Sequence, residues 1–140
     1  MADIGFGFDD YDNLKGAAIW NTEKAISRML GVDPSLLEYV DRRPSEFGFE
    51  DSNPYGDALR HLLLAGELQR MHPSVARPLL WGHEHISGRL YGQPERFRNM
   101  DLENNEIGLF LGNRAKSREA LENQALLMLP HANIGWNRRQ

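Results

Sequence analysis

The run from Tyr55 to Met71 restricts the fold more than any other part of the chain. Ala58, Leu59, Leu62, Leu63, Leu64 and Leu68 recur at helical spacing and cover a wide face. A helix apolar over so broad an arc needs neighbours on several sides, which makes it the central element of a helical domain. Its start is marked by Asn53-Pro54, a capping residue followed by the one residue suited to the first helical position. His72-Pro73 breaks it and opens another helix, expected to reach about Tyr91 with a kink or restart at Pro78. Similar signals predict a helix from the Asn13 cap to about Leu30, with Gly31 as its stop, and a short one from Asp33-Pro34 through Val40. Two more are expected, from about Met100 to Gly112 and from Ser117 to Leu129 ahead of Pro130. No segment reads as a strand. The expectation is an all-α fold, a compact bundle of five or six helices spanning residues 14–130.

The ends read differently. Residues 1–13 alternate glycine with aromatics before an acid cluster and are expected to form an extended arm, and residues 131–140 a second, polar tail. Phe6-Gly7-Phe8 is echoed by Phe47-Gly48-Phe49. Either each copy tucks a phenylalanine into the core, or the aromatics anchor the chain on a partner; Phe6, Phe8 and Trp136 are the candidate partner-binding residues. At 140 residues the chain has the size of one domain, and with no cysteine it has neither disulfides nor a thiolate nucleophile or ligand. No secretion signal or apolar span is recognisable, so the expected location is where the chain is made. Acids outnumber bases in residues 1–57 and bases outnumber acids afterwards, too weakly to predict nucleic-acid binding.

Three polar clusters interrupt the apolar helices: Arg60-His61, His83-Glu84-His85, and Asp101 with Asn104 and Asn105. Buried polar groups are costly unless paired, so these clusters should meet. His83 and His85, two residues apart, point about 200° apart on a regular helix and cannot both hold one ion. Ser87 stands where a zinc-protease HExxH pattern would need its second histidine. One donor from each helix remains: His61, His83 or Glu84, and Asp101. Imidazole with carboxylate suits a divalent metal such as Zn, Mn or Fe, supported by Asn104 or Asn105. In a metal-free alternative, Glu84 or His61 takes a proton from water and Arg60 stabilises developing negative charge. In a purely structural one, Arg60 pairs with Asp101 and His61 with Glu84, while Asn104 and Asn105 satisfy loop carbonyls. Arg96 and Arg98 read as solvated charges or partner contacts.

The order Arg60-His61, His83-Glu84 and Met100-Asp101-Leu102-Glu103-Asn104-Asn105-Glu106-Ile107-Gly108 resembles the RH…HE…MDxxNNxxG signature of a small helical family. The family occurs in bacteriophage proteins and at the C-termini of bacterial toxin-like proteins, and has no established activity. The resemblance covers residues 57–114. Leu109-Phe110-Leu111 stand where members commonly carry a basic residue after the final glycine. The resemblance implies a shared fold and polar centre. With the arms it suggests a virion-associated or assembly protein, oligomeric with other chains, in the virion or host cytoplasm. The other reading is a small hydrolase, metal-assisted or acid–base, acting on a cell-envelope or phosphoester substrate. The same residue order also resembles that of helical metal-dependent phosphohydrolases.

Overall fold

The computed structural model describes residues 31–82, 84 and 95–134. Among them are five helices: α1 (Ser35–Glu46), α2 (Pro54–Met71), α3 (Pro73–Gly82), α4 (Glu95–Arg114) and α5 (Arg118–Met128), followed by a 3-10 turn, Leu129–His131. The fold is an all-α bundle in which α2 is central, packed against all four other helices. The expected arm 1–13, the helix ending near Leu30, and residues 135–140 lie outside the described residues, and with them Phe6, Phe8 and Trp136. No helix among the described residues is long and apolar enough to cross a membrane.

Local chemistry sets the helix starts. Asn53 Oδ1 accepts the Tyr55 N–H at 2.9 Å, Asp33 Oδ1 that of Ser35 at 2.9 Å, and Ser117 Oγ that of Ala120 at 3.1 Å. Two helices outrun the sequence reading. Helix α1 continues past Val40 to Glu46, which Arg42 and Arg43 both reach, at 2.8 and 2.9 Å; Pro44 in the last turn forfeits one backbone hydrogen bond close to the helix end. Helix α4 begins at Glu95 instead of Met100, with that acid in its first turn. Phe47 and Phe49 pack against the core, as the first of the two readings expected for this copy. Gly48 between them sits at φ +100°, a conformation that favours glycine. At the other end Ala132 and Ile134 are buried, so residues 131–134 of the expected tail belong to the domain.

Helices α2 and α4 run parallel in a fixed register: His61 meets Asn105 and Gln69 meets Asn113, each 44 residues further along. They touch backbone to backbone. A Cβ on Gly108 would stand 2.7 Å from the Leu62 carbonyl oxygen and from Ala65 Cβ, and one on Gly112 would stand 2.7 Å from Gly66 Cα. Gly66 also receives Leu121 of α5, whose Cδ1 would lie 2.6 Å from any Cβ there. At Gly108 and Gly112 the neighbour is backbone, which leaves no room for a methyl group, whereas at Gly66 it is the end of the Leu121 side chain.

Gly112→Ala is therefore expected to force α2 and α4 apart and cost at least about 2 kcal/mol, the upper range for overpacking. Gly82→Ala, whose new methyl meets nothing within 4 Å, should change stability by less than about 1 kcal/mol. Urea denaturation of the two variants measures the difference; equal effects would refute the backbone contact.

Candidate metal centre

The seam that begins with Gly112 and Gly108 continues at heptad-like spacing into Asn105, Asp101 and Arg98 of α4, a single stripe on one helix face. Opposite it on α2 lie His61 and Asp57, one turn apart on the same face. The close contact of the glycine end fixes how near these polar residues stand. His61 is completely buried, and Asp101, Glu84 and Asn105 nearly so; Asp57 keeps 20% of its side chain exposed and gives the centre its open side.

The distances define a compact cluster. His61 Nε2 lies 3.2 Å from Asp101 Oδ1 and 3.8 Å from Asp57 Oδ2. On the other edge of the ring, Nδ1 lies 3.1 Å from Asn105 Oδ1 and 3.6 Å from Glu84 Oε2. Asn105 Nδ2 donates to Glu84 Oε2 at 3.3 Å, which leaves its Oδ1 to accept from His61 Nδ1. That arrangement assigns the proton to Nδ1 and makes Nε2 the lone-pair donor facing the two aspartates. One donor atom from each of Asp57, His61 and Asp101 lies within 4.8 Å of the others. Donors around an ion bound at about 2.0–2.2 Å stand roughly 3–3.5 Å apart, close to the 3.2 and 3.8 Å separations from His61 Nε2, so the three could draw in around a divalent cation.

Burial governs the titration of the centre. It lowers the His61 pKa below its usual 6.5, with the Arg60 charge acting the same way and Asp57 and Asn105 opposing, so the ring is neutral at neutral pH. It raises the Glu84 carboxyl to about 8, with the Asp57 charge adding to the rise and hydrogen bonds with Asn105 and Asp101 and the Arg98 charge opposing it.

Not every candidate joins the cluster. Arg60 Nε donates to the Asp41 carbonyl at 3.2 Å and lies 3.7 Å from the Asp41 carboxylate, while its Nη1 stands 4.0 Å from Asp57. It thus borders the centre through Asp57, and its ion-pair partners are Asp41 and Asp57 instead of Asp101. Asn104 turns the other way. Its amide donates to the Asn133 carbonyl and accepts the Asn133 N–H, both at 2.8 Å, clamping the C-terminal segment. His83 lies outside the described residues. Asp57 was missed by the sequence reading; its signal was the four-residue spacing to His61 on one helix face.

In comparisons with known proteins, no family model, no curated protein and no solved structure matches this chain. The functional reading therefore rests on the chemistry of this cluster.

The Glu84 shift has a measurable sign. The folded state holds the proton up to about pH 8 whereas the unfolded chain releases it near 4.5, so unfolding sheds a proton in between and stability falls as pH rises. His61 acts oppositely, but only below 6.5. Chelated protein is therefore expected to lose stability from pH 6.5 to 8, and Glu84→Gln to abolish that decline. Urea titrations across this range test it; an unchanged slope in the variant would refute the assignment.

Proposed function

We propose that the protein is a small metal-dependent hydrolase whose centre holds one divalent cation of the zinc, manganese or iron class through Asp57, His61 and Asp101. The observation that carries this reading is the convergence of three lone-pair donors from two helices, with the imidazole Nε2 turned toward both aspartates. The second layer fits the same role: Asn105 holds the far ring nitrogen and links it to Glu84, as metal-bound histidines generally require. Residues from all three polar clusters of the sequence, His61, Glu84 and Asp101 with Asn105, contribute to the centre.

A divalent cation in such a site supplies Lewis acidity and lowers the pKa of water. The chain's own residues supply the rest. Asn105 fixes the tautomer of His61, and Arg60, anchored on Asp41, steadies Asp57. Glu84 lies against the ring and amide, where a carboxyl can carry a proton to or from the reacting bond. The partly exposed edge at Asp57 is where a phosphoester or cell-envelope substrate would approach. The alternative of a virion assembly role depends on Phe6, Phe8 and Trp136, and no described residue connects the fold to it.

The test is direct. Calorimetric titration of the full chain with Mn²⁺ or Zn²⁺ is expected to show one site, and the bound ion to stabilise the fold by about 2.7 kcal/mol at a hundredfold excess over Kd. His61→Ala and Asp101→Asn are each expected to weaken binding by about a hundredfold or more. Hydrolysis of a nitrophenyl phosphodiester should vanish on chelation and return with the ion. A wild-type chain that binds neither ion would overturn the reading.

A further inference from the structure

We propose that Arg98 is the anion-recognition group of this centre, and that the substrate it holds there is a phosphate ester. The inference rests on the hydrolase reading above and narrows its substrate class. Arg98 stands three residues before Asp101 and seven before Asn105, so it occupies the next position of the α4 stripe that builds the centre.

Its partners set it apart. Arg43 is bound to Glu46 and Glu122, Arg60 to Asp41 and Asp57, Arg70 and Arg118 to Glu67, and Arg77 to Glu106. Among the described residues, Arg98 Nε is the one arginine nitrogen that is buried and has no hydrogen-bond acceptor. A buried N–H without an acceptor is costly, so Nε of the half-buried Arg98 is a donor that a bound anion would satisfy. The charge of Arg98 is felt at Glu84, which places the two groups at the same end of the centre.

The chemistry of the missing acceptor follows from the group itself. A guanidinium presents a planar fork of N–H donors that matches two oxygens of a phosphate, and stays charged at any working pH. A divalent cation on Asp57, His61 and Asp101 would offset the aspartates and leave Arg98 as the unneutralised charge on the α4 side.

The experiment titrates inorganic phosphate and methyl phosphate into the full chain, with and without saturating Mn²⁺, and compares Arg98→Gln and Arg98→Lys. Expected are binding of both phosphates in preference to acetate, a loss of about tenfold or more in Arg98→Gln, and partial recovery in Arg98→Lys. Mn²⁺ affinity should stay within about twofold in both variants, and the melting temperature of Arg98→Gln should equal or exceed that of the wild type. Wild-type phosphate affinity in Arg98→Gln, no preference over acetate, or a melting temperature several degrees lower would each overturn the proposal while leaving the metal site standing. Arg98-dependent phosphate binding in a chain that takes up no Mn²⁺ would support the anion site and refute the metal reading instead.

Discussion

The backbone contact between α2 and α4 is the constraint on which the rest of the molecule depends. With Gly108 against Leu62 and Ala65, and Gly112 against Gly66, the two helices meet with no side chain between their backbones at these positions. Their parallel direction means that this contact and the polar cluster belong to one seam, read in one order on both helices. A parallel pair also needs a long return connection, which α3 and the residues around Glu84 provide. That connection brings Glu84 to the centre as a third contributor. Because the seam cannot open without losing the glycine contacts, the distances among Asp57, His61, Asp101 and Asn105 are fixed by packing remote from them.

The two ends of α2 solve the burial of charge in opposite ways. Near its C-terminus Glu67 is wholly buried, yet Arg70 reaches it at 2.6 Å and Arg118 at 2.8 Å; these bonds outweigh the burial, which acts to raise it, and hold its carboxyl below the usual range. Arg118 also lies 3.9 Å over the Tyr39 ring, and the Tyr39 hydroxyl donates to Glu122, itself bound by Arg43. Every acid there has its base, and the network joins α1, α2 and α5 as a closed structural device. Around His61 the balance is different. Burial drives Glu84 up instead of down, and Arg60 is committed to Asp41 and Asp57 at the rim. Two clusters of similar composition thus differ in that arginines hold the Glu67 carboxyl down while burial drives the Glu84 carboxyl up.

Much of this was legible in the sequence, and the parts that were not share a physical reason. Asn53-Pro54 and Ser117 announced their helices because capping is local chemistry. The leucines of α2 announced a central helix, and His61, Glu84, Asp101 and Asn105 stood out as polar residues in apolar surroundings. Asp57 and Arg98 did not, since each sits near a helix start where charged residues are ordinary, and only the tertiary register turns them inward. The roles of Asn104 and Asn105 were equally hidden. Adjacent residues on a helix point about 100° apart, so one amide reaches His61 and the other clamps Asn133. Gly66, Gly108 and Gly112 gave no warning because a glycine within a helix lowers its propensity, and only the partner helix shows what the missing side chain permits.

Charge bookkeeping ties the stripe on α4 to the chemistry of the site. Burial lowers the His61 pKa and raises that of Glu84, so both groups favour their neutral forms in the centre. Arg60 offsets Asp57 from the rim at 4.0 Å. Arg98 stands on the same stripe as Asp101, yet no ion pair joins it to either aspartate among the described residues. Had its role been to neutralise the acids, a fork of five donors on a flexible stem would have closed onto them, as Arg70 and Arg118 close onto Glu67. Arg60 thus serves Asp57 from the rim, while Arg98 Nε is buried at the far end of the α4 stripe. This is the arrangement expected when a cation belongs among the acids and an anion belongs at the arginine.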